Sequence, residues 1–138
     1  MPRDEIERLT PYDDVNAVLA ELTDGIVRIL DDELLGLYLT GSLTYGGFRR
    51  GSSDIDFLVV LGCPLEHDVR TSLEGVHARI ASTYPAWSDR VEGSYITADM
   101  LDSIEPPVMP RPYINGGAFW EPDPRYGNEW LINLYALR

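Results

Sequence analysis

The amino-acid sequence predicts a small α/β domain, a mixed β-sheet flanked by helices. Three observations point there. Apolar residues change period along the chain, from steps of three and four to short continuous runs. The resulting order is helix, strand, turn, strand, helix, strand, an alternation that belongs to α/β domains. The first two strands are joined by only about a dozen residues, too few for a classical doubly wound sheet.

Residues 13–31 read as a helix. Val15, Val18, Leu19, Leu22, Ile26, Ile29 and Leu30 lie along one stripe, and Asp13 and Asp14 sit at the positive end of the helix dipole. Residues 34–40, LLGLYLT, form a nearly continuous apolar run, as in a strand buried on both faces. The Gly-, Ser- and Arg-rich stretch from Gly41 to Ser53 must turn, and Tyr45 falls near its middle. Residues 54–61, DIDFLVVL, make the second strand. A second helix is expected over 65–84, with Leu65, Val69, Leu73, Val76, Ile80 and Tyr84 inward. Residues 89–97 form a third strand, and Thr97 can cap a short helix through Ile104.

Six of the ten prolines lie between Pro106 and Pro124, which predicts an extended loop. A last helix is expected from about Asn128 to the final residue, with no stop signal after it. We therefore expect a longer protein to continue beyond Arg138. Exposure of Trp130, Leu131, Leu134 and Leu137 on that helix would favour a homodimer or a helical partner.

Composition narrows the function classes. The 138 residues suffice for one domain. The net charge of −12 repels nucleic-acid phosphates and suits cationic partners. One cysteine, Cys63, excludes an intrachain disulfide and fits a reducing cytoplasm; it reads as a small core-edge residue at a strand end. The N-terminus has no apolar stretch of the signal-peptide kind, and no run approaches a membrane-spanning length, so no membrane partner is expected. His67 and His77 stand ten residues apart on the second helix, too far to share a metal; both read as surface or partly buried, without a catalytic role.

The chemistry concentrates between Gly41 and Asp56. Gly41-Ser42 ends the first strand and Asp54-Ile55-Asp56 opens the second. Two aspartates two apart on a strand point to one face. Such a pair repels itself unless a cation lies between the carboxylates, and Mg²⁺, an oxygen-seeking ion shared with substrate phosphates, fits best. Two such ions can hold the attacking and leaving oxygens of an in-line displacement. Gly41 lets backbone amides approach a phosphate, Ser42 and Ser53 add hydroxyl donors, and Arg49 and Arg50 can reach phosphate oxygens. A third carboxylate is expected on a neighbouring strand. Glu92 is the first choice, as a base toward an incoming hydroxyl or as a third metal ligand, with Asp89 and Asp99 as competitors nearer the strand ends.

The stretch TGSLTYGGFRRGSSDIDFLVV resembles the signature of the polymerase-β-like nucleotidyltransferase superfamily: apolar-Gly-Ser, then Asp-apolar-Asp-apolar. Within it, the chain is most similar to aminoglycoside adenylyltransferases of the streptomycin/spectinomycin type. RPYINGGAFWEPDPRYGNEWLINLYALR resembles the stretch that leads into their helical C-terminal domain, and the resemblance runs from Leu37 onward. It implies a nucleotidyltransferase fold over 1–105, with 106–138 leading toward a C-terminal helical domain that these residues do not include. It also implies ATP as substrate with Mg²⁺, Asp54 and Asp56 as metal ligands, Glu92 as catalytic base, Ser42 and Ser53 on the ATP phosphates, and AMP transfer to an aminoglycoside hydroxyl. A rival expectation is a minimal nucleotidyltransferase antitoxin that pairs with a helical HEPN-type toxin and adenylylates it.

Overall fold

Val15, Val18, Leu19, Leu22 and Ile26 are fully buried along helix α2, Asp13–Leu30. Each such side chain contributes roughly 1.5–3 kcal/mol relative to leaving it exposed. The computed structural model describes residues 2–44, 46–49, 51–101, 113–115, 118–120 and 135–136. A four-residue helix, α1 (Arg3–Ile6), precedes α2 and buries Ile6 against it. It is too short to leave a periodic signal in the sequence.

Strand β1 (Leu34–Thr40) turns through one 3₁₀ segment, Gly41–Thr44, and pairs antiparallel with β2 (Ile55–Leu61). Helix α3 (His67–Thr83) then crosses back, so β3 (Val91–Thr97) lies parallel to β2. A long connection carrying a helix is what a parallel pair requires. Helices α2 and α3 pack closely on one face. A Cβ at Gly25 would stand 2.7 Å from Val76 Cγ1, so glycine permits that approach.

Strand alternation divides the side chains of β2 and β3. Ile55, Phe57, Val59, Leu61, Val91 and Tyr95 join the main core with α2 and α3. Leu58, Val60 and Ile96 form a second cluster, with Tyr38 and Met100 packed against it. Asp56 and Glu92 fall in this second register, on the face away from the two helices.

Several expectations are corrected. The 106–124 stretch contains two short antiparallel strands, β4 (Tyr113–Asn115) and β5 (Ala118–Trp120), and β4 extends the sheet beside β3. The sequence between them is Gly-Gly, a pair favoured in two-residue hairpin connections. Tyr135–Ala136, expected within a last helix, is strand β6 paired with Tyr38 and Leu39 of β1. It occupies backbone groups that β1 would otherwise present as an open edge. The rest of that stretch, with Trp130, Leu131, Leu134 and Leu137, lies outside the described residues. The sheet thus has six strands in the order β5-β4-β3-β2-β1-β6. Leu35 of β1 is exposed, so that strand is not buried on both faces throughout. The short helix after β3, α4 (Ala98–Leu101), is described only to Leu101. Cys63 is exposed rather than tucked at the core edge, because its thiol points to the Glu33 carboxylate (Sγ–Oε2 2.9 Å).

Candidate active site

The parallel register sets Asp56 directly beside Glu92. Both side chains point from the same face, and Glu92 hydrogen-bonds both Asp56 and Asp54. Three carboxylates therefore converge where β2 and β3 begin. Burial pushes the Asp56 carboxyl up to about 7, helped by the negative charges of Glu92 and Asp54 and by the Glu92 hydrogen bond. Burial also raises Glu92, followed by the charge of Asp54 and a hydrogen bond to it, while the bond with Asp56 acts in the opposite direction. Of the competitors for the third position, Asp89 is exposed before β3 begins and Asp99 is exposed on α4 beyond its far end.

The glycine-serine bend lies against these carboxylates. Gly41 has φ +67, and a Cβ there would stand 2.2 Å from Asp56 Oδ2. Any side chain would collide with Asp56 and would also strain the backbone. Ser42 follows in the same 3₁₀ segment, half-buried. Farther along, residues 49–53 close a tight turn. The Ser52 and Ser53 amides donate to the Arg49 carbonyl, and the Arg49 amide donates to Ser53 Oγ at 2.8 Å. Ser53 Oγ thus accepts one bond within the loop and keeps its own proton to donate. Gly46 has φ +75 with open space around it, as a turn glycine would. Arg49 is exposed, and Arg50 and Tyr45 lie outside the described residues.

One neighbour was not apparent from the sequence. Arg90 Nη2 donates to the Ser53 carbonyl oxygen, and its Nε stands 3.9 Å from Asp54 Oδ1. The sole sequence signal was its position two residues before Glu92. His77 is likewise a correction: it is buried, sharing a 2.6 Å hydrogen bond with Tyr95 Oη on the helix-covered side of the sheet.

Among the described residues no three His, Cys, Asp or Glu side chains already stand as an open metal cage. The carboxylates bond one another instead, which requires a shared proton. Their chemistry nevertheless fits a hard divalent ion: the donors are all oxygen, and the like charges that raise their proton affinity are what such an ion relieves. No helix among the described residues is long and apolar enough to cross a membrane.

Comparison with known proteins agrees with this fold. The structure is similar to the crystal structure of spectinomycin adenyltransferase from Enterococcus faecialis with ATP and spectinomycin: TM-score 0.60, 22% identity, covering 72% of this chain. This chain spans 40% of that protein's length. No curated protein matches the sequence. The family model of the nucleotidyltransferase domain matches residues 24–101, more than half of the chain and all of β1, β2 and β3 with their carboxylates. The chain therefore belongs to the nucleotidyltransferase domain family.

Proposed function

We propose that the protein transfers AMP from ATP to a hydroxyl of a cationic small molecule, an aminoglycoside. The observation that carries this is the convergence of Asp54, Asp56 and Glu92 beside the Gly41-Ser42 bend. Asp54 and Asp56, with Glu92 in reach, would hold Mg²⁺. The ion would neutralise charge on the phosphates and the leaving group.

The chain's own groups do the rest. The Gly41 backbone leaves room for the triphosphate. The Ser42 and Ser53 hydroxyls donate to phosphate oxygens, and the sequence adds Arg50 as a proposed phosphate contact. Glu92, whose proton affinity burial raises above that of an ordinary carboxylate, accepts the proton of the acceptor hydroxyl. The hydroxyl oxygen bonds the α-phosphorus as the bond to pyrophosphate breaks. The spectinomycin bound by the similar enzyme and the net charge of −12 both favour a polycationic acceptor. Such a reaction belongs in the cytoplasm, where ATP is available.

The test is transfer of α-phosphate label from ATP to spectinomycin or streptomycin in the presence of Mg²⁺, with ATP binding followed by calorimetry. Labelled drug and released pyrophosphate are expected. Mg²⁺-dependent ATP binding with no drug modified removes the acceptor assignment; absence of ATP binding removes the nucleotide chemistry as well.

A further inference from the structure

Asp54 and Asp56 are held by different means. Asp56 lies inside β2 and is fixed by the ladder to Thr40 and Glu92. Asp54 precedes the strand, which begins at Ile55, and follows a loop of Gly, Arg and Ser residues. Its carboxylate must nevertheless meet that of Asp56 for a shared ion.

Arg90 contacts three consecutive residues at this junction. Its guanidinium donates to the Ser53 carbonyl oxygen, its Nε faces Asp54 Oδ1 at 3.9 Å, and its own carbonyl accepts from the Ile55 amide at 2.7 Å. The guanidinium in turn rests on the Trp87 ring, 4.1 Å from the centroid. Trp87 is a fixed platform. It is buried, its indole N–H donates to Asp14 Oδ2 of α2 at 3.0 Å, and Phe48 stacks on it with centroids 6.0 Å apart. Phe48 belongs to the same loop, so the platform holds that loop at a second point.

We infer that Arg90 is a positioning residue: braced on Trp87, it fixes the Ser53-Asp54 junction and so sets the Asp54 carboxylate against Asp56 for a divalent cation. This rests on the metal-binding reading of the carboxylates. Lysine would keep the charge but lose the planar fork and the stacking, so charge alone does not do this.

The experiment compares the unaltered protein with Arg90→Gln and Arg90→Lys. Mn²⁺ binding is followed by water-proton relaxation, and hydrogen exchange of the 53–55 amides is followed without metal. Arg90→Gln is expected to weaken Mn²⁺ on the order of tenfold and to speed exchange at Asp54 and Ile55. Arg90→Lys is expected to recover neither fully, and it serves alone if the glutamine variant does not fold. Native affinity and native protection in Arg90→Gln would overturn the inference, as would full recovery by lysine. If the unaltered protein binds no Mn²⁺, the metal reading fails, and the exchange rates alone decide whether Arg90 is a brace.

Discussion

The two faces of the β2–β3 pair each carry two titratable side chains close together, and they solve the problem of burial differently. On the helix-covered face, His77 shares a hydrogen bond with Tyr95 and stacks on Phe57, centroids 5.6 Å apart. Burial holds the imidazole down to about 4 and pushes the phenol up, so both are neutral, and one supplies the donor and the other the acceptor. On the other face, Asp56 and Glu92 bring acceptors against acceptors. Burial raises both, but here neighbouring negative charge adds to it. The first pair is complete in itself. The second needs a proton or a cation from outside, and that need distinguishes a site from a piece of core.

The largest effect that would sharpen this contrast comes from Asp56→Asn. Transfer activity is expected to fall on the order of 10³-fold, the scale seen when a preorganised electrostatic contact is removed. The melting temperature of the metal-free protein should hold or rise, since one member of a repelling pair is gone. A large fall in melting temperature would show that Asp56 stabilises the fold, and the contrast between the faces would break.

The two faces also respond to acid with opposite signs. Above pH 6.5 His77 is neutral in both folded and unfolded chains. As pH falls toward 4 the unfolded chain takes the proton first, so stability drops, by about 3 kcal/mol in all for a shift from 6.5 to about 4. Asp56 behaves in reverse. With its folded value about 7 against an ordinary 3.8, the folded chain takes the proton first, and metal-free stability rises as pH falls from 7 toward 4. Urea unfolding of the native protein and Asp56→Asn at pH 7.5, 5.5 and 4.2 separates the two. The variant should lose stability more steeply with acid; identical slopes would mean that neither burial nor the neighbouring carboxylates raise Asp56 in the folded chain.

Gly41→Ala tests the wall of the site. Positive φ in a residue with a Cβ costs about 1–3 kcal/mol, and overlap with Asp56 Oδ2 adds to that. Combining it with Asp56→Ala leaves the backbone strain but removes the overlap. The double variant should therefore lose less by urea unfolding than the two single losses added together.

The carboxylate face was legible in the sequence because it follows from local periodicity. Asp54 and Asp56 stand two apart ahead of an apolar run, and a period of two needs no tertiary knowledge to orient them. The stripe of α2 and the glycine at position 41 were legible for the same reason. What escaped was set by distant partners. The burial of His77 depends on Phe57 and Tyr95 meeting α3, and a histidine at the border of the Leu73, Val76 and Ile80 stripe can face either the core or water. Arg90 depends on Trp87 and on the parallel register of β3. The pairing of Tyr135–Ala136 with β1 depends on a free sheet edge, whereas the apolar spacing of the last residues suited a helix equally well.

The smallest effect probes the self-contained face. Tyr95→Phe keeps the ring that meets Phe57 edge-on and removes only the hydroxyl bonded to His77. Loss of one neutral hydrogen bond costs about 1 kcal/mol, somewhat more when a buried partner loses it. Tyr95 and Glu92 share β3 but point from opposite faces, and the strand between them is tied on both sides, to β2 and to β4. The loss should therefore appear in urea unfolding while kcat and KM for nucleotidyl transfer stay at native values. A parallel fall in kcat would mean that the sheet transmits changes from the helix-covered face to the carboxylates, and the two faces would then be one coupled unit.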